Sequence, residues 1–106
     1  MNRIAVLFFI LAGSFAAMAQ AELSTKSKKA IELYTMADNY RVRRQFNEAI
    51  SLLNAAIEKD KNFVEAYHRL GLTYFAMNQY KKAIANYEKG LSLTTDLRRQ
   101  KIFWYD

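Results

Sequence analysis

His68 is the only histidine of the chain, and no cysteine stands beside it, so it is the first side chain to test for chemistry. A catalytic imidazole needs a nucleophile to deprotonate and an acid to orient it, and a metal-bound one needs companion ligands at fixed spacing. Neither is supplied around His68, and a lone histidine on a helix face reads as polar surface. Gly71 lies inside a helical pattern, without the further glycines that a phosphate-cradling loop needs. Arg41, Arg43 and Arg44 could grip a phosphate, but they crowd the end of a helical segment, where positive charge complements the helix dipole. The seven Tyr and seven Phe fall mostly at core spacing rather than as a base-stacking platform. The absence of cysteine removes disulfides, thiolate metal sites, a thiol nucleophile and a lipidated N-terminal Cys. The expectation is therefore a non-enzyme with no cofactor and no metal.

The elements that must position these residues are set by a repeat. Residues Ala66 to Leu91 have a weaker copy 34 residues upstream. Leu70 falls on Met36, Gly71 on Ala37, Tyr74 on Tyr40, Tyr80 on Phe46 and Ala83 on Ala49. Ile84 falls on Ile50, Tyr87 on Leu53, Gly90 on Ala56 and Leu91 on Ile57. Apolar meets apolar and small meets small. A period of this length with two amphipathic segments per unit predicts an all-α chain of antiparallel helical hairpins stacked as a solenoid. The segments on either side of Gln45 and of Asn78-Gln79 are joined so tightly that each pair must fold back on itself.

In chain order, Met1-Asn2-Arg3 precedes the apolar run Ile4 to Ala12, and Ala17-Met18-Ala19 offers a small-x-small cleavage site. Residues 1–19 thus read as a secretory signal peptide cut after Ala19, with Ala21 as a second choice. The run is too short and too soon interrupted by Gly13 and Ser14 for a membrane anchor, so contact with a membrane is expected only through the signal before cleavage. Residues 20–29 are a polar lead in which Ser24, Thr25 and Ser27 can all cap a helix. Two repeats follow, 30–63 and 64–95. Between them Asn62 and Glu65 have the spacing of a capping box. Gly90, unfavourable inside a helix, points to a close backbone approach. Residues 96–106, with Asp96 as a possible cap and Ile102 to Tyr105 as an apolar cluster, read as the start of a third repeat or as a capping helix.

The pattern Tyr67, Leu70-Gly71, Tyr74, Tyr80, Ala83-Ile84, Tyr87 and Leu91 resembles the tetratricopeptide repeat (TPR), and Met36, Ala37, Tyr40, Phe46, Ala49 and Ala56 extend the resemblance to the first unit. Two departures stand out: Lys61 and Thr95 occupy the positions where the family usually closes a unit with Pro, and Gly90 replaces the usual Ala. The resemblance implies a right-handed array whose first helices line a concave groove, with Tyr34, Asp38, Arg41, Glu65, His68, Arg69, Leu72 and Phe75 facing it. The TPR subclass that clamps a carboxylate with Lys and Asn has Tyr34 and Asp38 in their place here, and Asp38 is expected to repel such a terminus.

The resulting expectation is a scaffold that binds a peptide or partner protein through the groove, exported to the periplasm or cell envelope of a Gram-negative bacterium. An alternative makes the repeats the assembly arm of a larger envelope protein with a peptidoglycan-binding or catalytic domain downstream, an arrangement that resembles other secreted TPR chains. Nucleic acid is not expected as a partner. The formal charge of +6 falls to +5 once Arg3 leaves with the signal, and the remaining Lys and Arg are spread over several faces. Because residues 96–106 provide no polar closing helix, the chain is expected to be the N-terminal piece of a longer protein. If it instead ends at Asp106, the last hairpin is expected to self-associate, because stacking is how such repeats bury apolar surface.

Overall fold

The computed structural model describes residues 23–105, the stretch 97–105 by its backbone alone. The expected signal peptide and its cleavage site lie outside the described residues. Four helices follow one another: α1 (Lys28–Val42), α2 (Phe46–Lys59), α3 (Val64–Ala76) and α4 (Tyr80–Tyr105). α1 packs on α2 and α3 on α4, each pair as a hairpin, while α2 against α3 joins the two hairpins. The fold is all-α, and among the described residues no strand occurs.

Capping residues explain the helix ends. Ser27 starts α1, its hydroxyl accepting from the Ala30 amide at 3.1 Å. Thr25, expected as an alternative cap, is instead buried and accepts from the Ser27 amide at 3.2 Å. α1 and α3 end alike. The Gln45 amide donates to the Tyr40 carbonyl and that of Arg44 to Arg41, and the Gln79 and Asn78 amides donate in the same way to Tyr74 and Phe75. Both are Schellman closures, which need one residue in the left-handed region. Arg44 and Asn78, one repeat apart, fill that role, each at φ 62°. Asn tolerates this conformation and Arg does not. Replacing Arg44 by Gly is therefore expected to raise stability by about 0.5–1 kcal/mol in urea unfolding, even though it gives up the stacking of Arg44 on Phe46 (5.3 Å).

The core is built from small residues and a few large ones. Ala30, Ala37, Leu53, Ala56, Phe63, Ala66 and Leu70 form one buried cluster, with Ala49, Ala83, Gly71 and Gly90 buried as well. Tyr40, Phe46, Tyr74 and Tyr87 are half-buried. Four residues expected on the inner stripe are exposed instead: Met36, Tyr80, Ile84 and Leu91. They lie on the first and last of the described helices. Leu70 is covered by the first hairpin, but no helix precedes α1 to cover its counterpart Met36 among the described residues. Nor, among the described residues, does a third hairpin lie on Tyr80, Ile84 and Leu91, whereas their counterparts Phe46, Ile50 and Ile57, on the helix that α3 packs against, are half-buried.

Three further expectations are corrected. No new helix starts near Asp96, because α4 runs on unbroken to Tyr105. The hydroxyls of Thr94 and Thr95 bond back to the Gly90 and Leu91 carbonyls (2.9 and 3.1 Å), and no Pro or Gly stands there to stop the helix. Gly90 is not forced by close approach. A Cβ there would meet Tyr67 Cβ and the Val64 carbonyl at 3.5 Å, an ordinary contact. Gly90→Ala is accordingly expected to stabilise the fold by up to about 1 kcal/mol, read as a higher unfolding midpoint.

The third correction concerns the start of α3. Its N-cap is Phe63, which has no capping side chain, and the Asn62 amide turns to Asp60 Oδ1 at 3.0 Å. The cap comes from the polar lead. Ser24 Oγ accepts from the Val64 amide at 2.9 Å and donates to Glu65 Oε2 at 2.6 Å, while the Ser24 amide donates to Glu65 Oε1 at 3.0 Å. Leu23 packs against the core beside it. The lead is thus strapped across the second repeat. Ser24→Ala is expected to cost about 1–2 kcal/mol, the usual range for a lost cap, and hydrogen exchange at Val64 should rise with it.

Candidate groove for a protein partner

The residues expected to face the groove come from two helices. α1 brings Tyr34, Asp38 and Arg41 and α3 brings Glu65, His68, Arg69, Leu72 and Phe75, each set at the spacing of one helical face. Arg69 joins the two sets. Its Nε donates to the Tyr34 hydroxyl at 2.9 Å and lies 3.4 Å from Asp38 Oδ1, with the guanidinium 5.5 Å from the Tyr34 ring centre. Arg41 Nε reaches the same Asp38 oxygen at 3.3 Å. Two cations thus share one carboxylate. All three side chains keep roughly a third of their surface in water, so the network contributes little to stability and more to local charge, which is net positive.

That arrangement changes the expected role of Asp38. Held by two guanidiniums, it does not present a free negative charge to an incoming carboxylate. The Lys and Asn of the carboxylate-clamping subclass are still missing from these positions.

Glu65 is brought to the site but is occupied, since both its oxygens are bonded to Ser24. His68 is exposed, and its ring lies 5.5 Å from that of Tyr87. Leu72 is half-buried, and Phe75, with 57% of its surface exposed, has its ring centre 5.3 Å from that of Tyr80 in an edge-on arrangement. Tyr34 ties the groove to the core, its ring 5.1 Å from Phe63. Of the arginines at the end of α1, Arg43 lies over Tyr40 (5.7 Å) and Arg44 over Phe46, so neither joins the groove network. The Tyr67 hydroxyl donates to the Lys61 carbonyl, and burial, together with the nearby Asp60 charge, pushes it above its ordinary value.

A tetratricopeptide repeat match covers residues 64–93, and a TPR repeat match covers residues 37–78. Together they span 37–93, more than half of the chain, and reach into both hairpins of the structure. The chain belongs to the tetratricopeptide-repeat family. No curated protein matches it. TPR units mediate protein–protein interaction, which suits a surface built of a polar network flanked by exposed apolar side chains. Among the described residues no three acidic or histidine side chains come together to hold a metal ion, and no helix is long and apolar enough to cross a membrane. Ser24 and Phe63 are the functional and structural neighbours of this TPR groove that spacing alone did not reveal. Ser24 acts across 40 residues of sequence, and Phe63 follows a polar run that reads as a turn.

Proposed function

We propose that the chain is an exported TPR scaffold of the periplasm or cell envelope that holds a segment of a partner protein in the groove between α1 and α3. The segment carries an acidic side chain for Arg41 and Arg69 and an apolar side chain for Leu72 and Phe75. The observation that carries this reading is the pairing of two guanidiniums with a single carboxylate, with the exposed Phe75 further along the same helix as Arg69. Buried or half-buried arginines hold carboxylates well because their fork matches the two oxygens. Export rests on the signal-peptide layout of residues 1–19.

A photo-crosslinking residue placed at Phe75 in living cells, with Asn54 on the exposed side of α2 as control, tests the groove. A discrete adduct at Phe75 that disappears with Arg69→Ala is expected. Equal adducts at Asn54, or adducts indifferent to Arg69→Ala, would rule the groove out. N-terminal sequencing of the mature protein tests export, with Gln20 as the expected first residue.

A further inference from the structure

Glu65 and Arg69 stand one helical turn apart on α3 and line the same cleft of about 470 Å³, together with Tyr34 and His68. Glutamate four residues ahead of arginine is the order and spacing in which the two side chains pair most readily on a helix. Here they do not pair. Among the described residues the carboxylate beside Arg69 is that of Asp38, from the first hairpin, and Glu65 is in no ion pair.

Ser24 is the reason. Its hydroxyl donates to Glu65 Oε2 at 2.6 Å, and its amide donates to Oε1 at 3.0 Å and lies 3.3 Å from Oε2. A hydroxyl bonded to a carboxylate at this distance makes a charge-assisted contact, stronger than one between neutral groups. The same Oγ accepts from the Val64 amide, and the other acceptor in reach, the Asn62 carbonyl, is 3.5 Å away, so the single hydroxyl proton goes to Glu65. Ser24 is itself held from both sides. Leu23 packs against the core, and Thr25 is buried with its hydroxyl accepting from the Ser27 amide.

The consequence falls on Arg69. Its hydrogen bond to Tyr34 and its approach to Asp38 both run from Nε, and among the described residues its two terminal nitrogens make no hydrogen bond. The part of the guanidinium that grips a carboxylate two-handed is therefore open. A Glu65 released from Ser24 would turn along its own helix face and take those nitrogens itself. We infer that Ser24 is a positioning residue for partner recognition: by holding Glu65 it keeps the terminal nitrogens of Arg69 free for an acidic side chain of the partner. This rests on the groove reading above, in which Arg69 receives that side chain. The polar lead thus sets the charge that the groove presents, from a position 41 residues before Glu65.

The test uses the full chain and two readouts. In side-chain NMR the terminal N–H protons of Arg69, averaged by rotation in the wild type, should resolve into separate signals in Ser24→Ala as Glu65 pins them. The photo-crosslinked adduct at Phe75 in living cells should fall at least about twofold in the same variant. Adding Glu65→Gln to Ser24→Ala is expected to restore both, because the amide carries no charge to hold the guanidinium. Ser24→Thr, which keeps the hydroxyl, is expected to retain both. The cap on α3 stays missing from the double variant, so a role confined to capping gives no recovery. Unchanged Arg69 signals in Ser24→Ala, or an adduct that stays low after Glu65→Gln, overturns the inference. Failure of the groove reading looks different, since the adduct is then indifferent to Arg69→Ala while Ser24 is still in place.

Discussion

Phe63→Ala is expected to lower the unfolding free energy by about 3–5 kcal/mol, the largest effect of any single truncation in this chain. Among the described residues Phe63 is the largest side chain with no exposed surface, and the cluster around it draws Ala30, Leu53 and Ala56 from the first hairpin and Ala66 and Leu70 from the second. Removing the ring empties the joint rather than one side of it. Two short hairpins bury a modest core, so a loss of this size approaches the whole stability of the molecule. Urea unfolding followed by circular dichroism measures it. Phe75→Ala is the control, because that ring is mostly in water and its loss should cost well under 1 kcal/mol. Equal losses for the two substitutions would contradict the placement of Phe63. Because Tyr34 stacks on Phe63 and accepts from Arg69, the variant should also loosen the groove network, seen as faster exchange around Arg69.

The hairpins and their internal register could be read from the sequence because small residues recur where helices cross. Ala37, Ala49, Ala56, Gly71, Ala83 and Gly90 were placed by the period of 34, and all six are buried. Large residues at the same spacing were less informative. Tyr80, Ile84 and Leu91 repeat Phe46, Ile50 and Ile57, yet their burial depends on whether another hairpin lies over them, which no pattern within α4 encodes.

Phe63 was hidden for the opposite reason. It follows the polar run Glu58 to Asn62 and lies outside the inner stripe of α3, so only the stacking of one hairpin on the other buries it. The groove was legible as a set of residue types, but not as a network. The spacing of Tyr34 and Asp38 on α1 was visible, whereas their common partner Arg69 lies more than 30 residues away. Likewise, Glu65 faces the expected side but is taken by Ser24, a contact across 41 residues that no local rule suggests.

Gly71→Ala is expected to destabilise the fold by about 1–3 kcal/mol, although alanine is the better helix former by about 1 kcal/mol. The clash decides the sign. A Cβ at this position would lie 2.5 Å from Tyr87 Cε1, 2.6 Å from Cδ1 and 2.8 Å from Cζ, all atoms of a ring that also lies against His68. The first repeat shows the compatible alternative, Ala37 with Leu53 at the equivalent positions, both buried. Each repeat thus balances one small and one large residue, with glycine matched to tyrosine and alanine to leucine. Transplanting the first pair into the second repeat should therefore reverse the effect. In a Tyr87→Leu background, Gly71→Ala should stabilise rather than destabilise, because only the helix preference is left. The double-mutant cycle should show coupling of about 1–3 kcal/mol between the two positions. If Gly71→Ala stabilises the wild-type chain instead, the Tyr87 ring turns aside without cost, and glycine at this position owes nothing to packing.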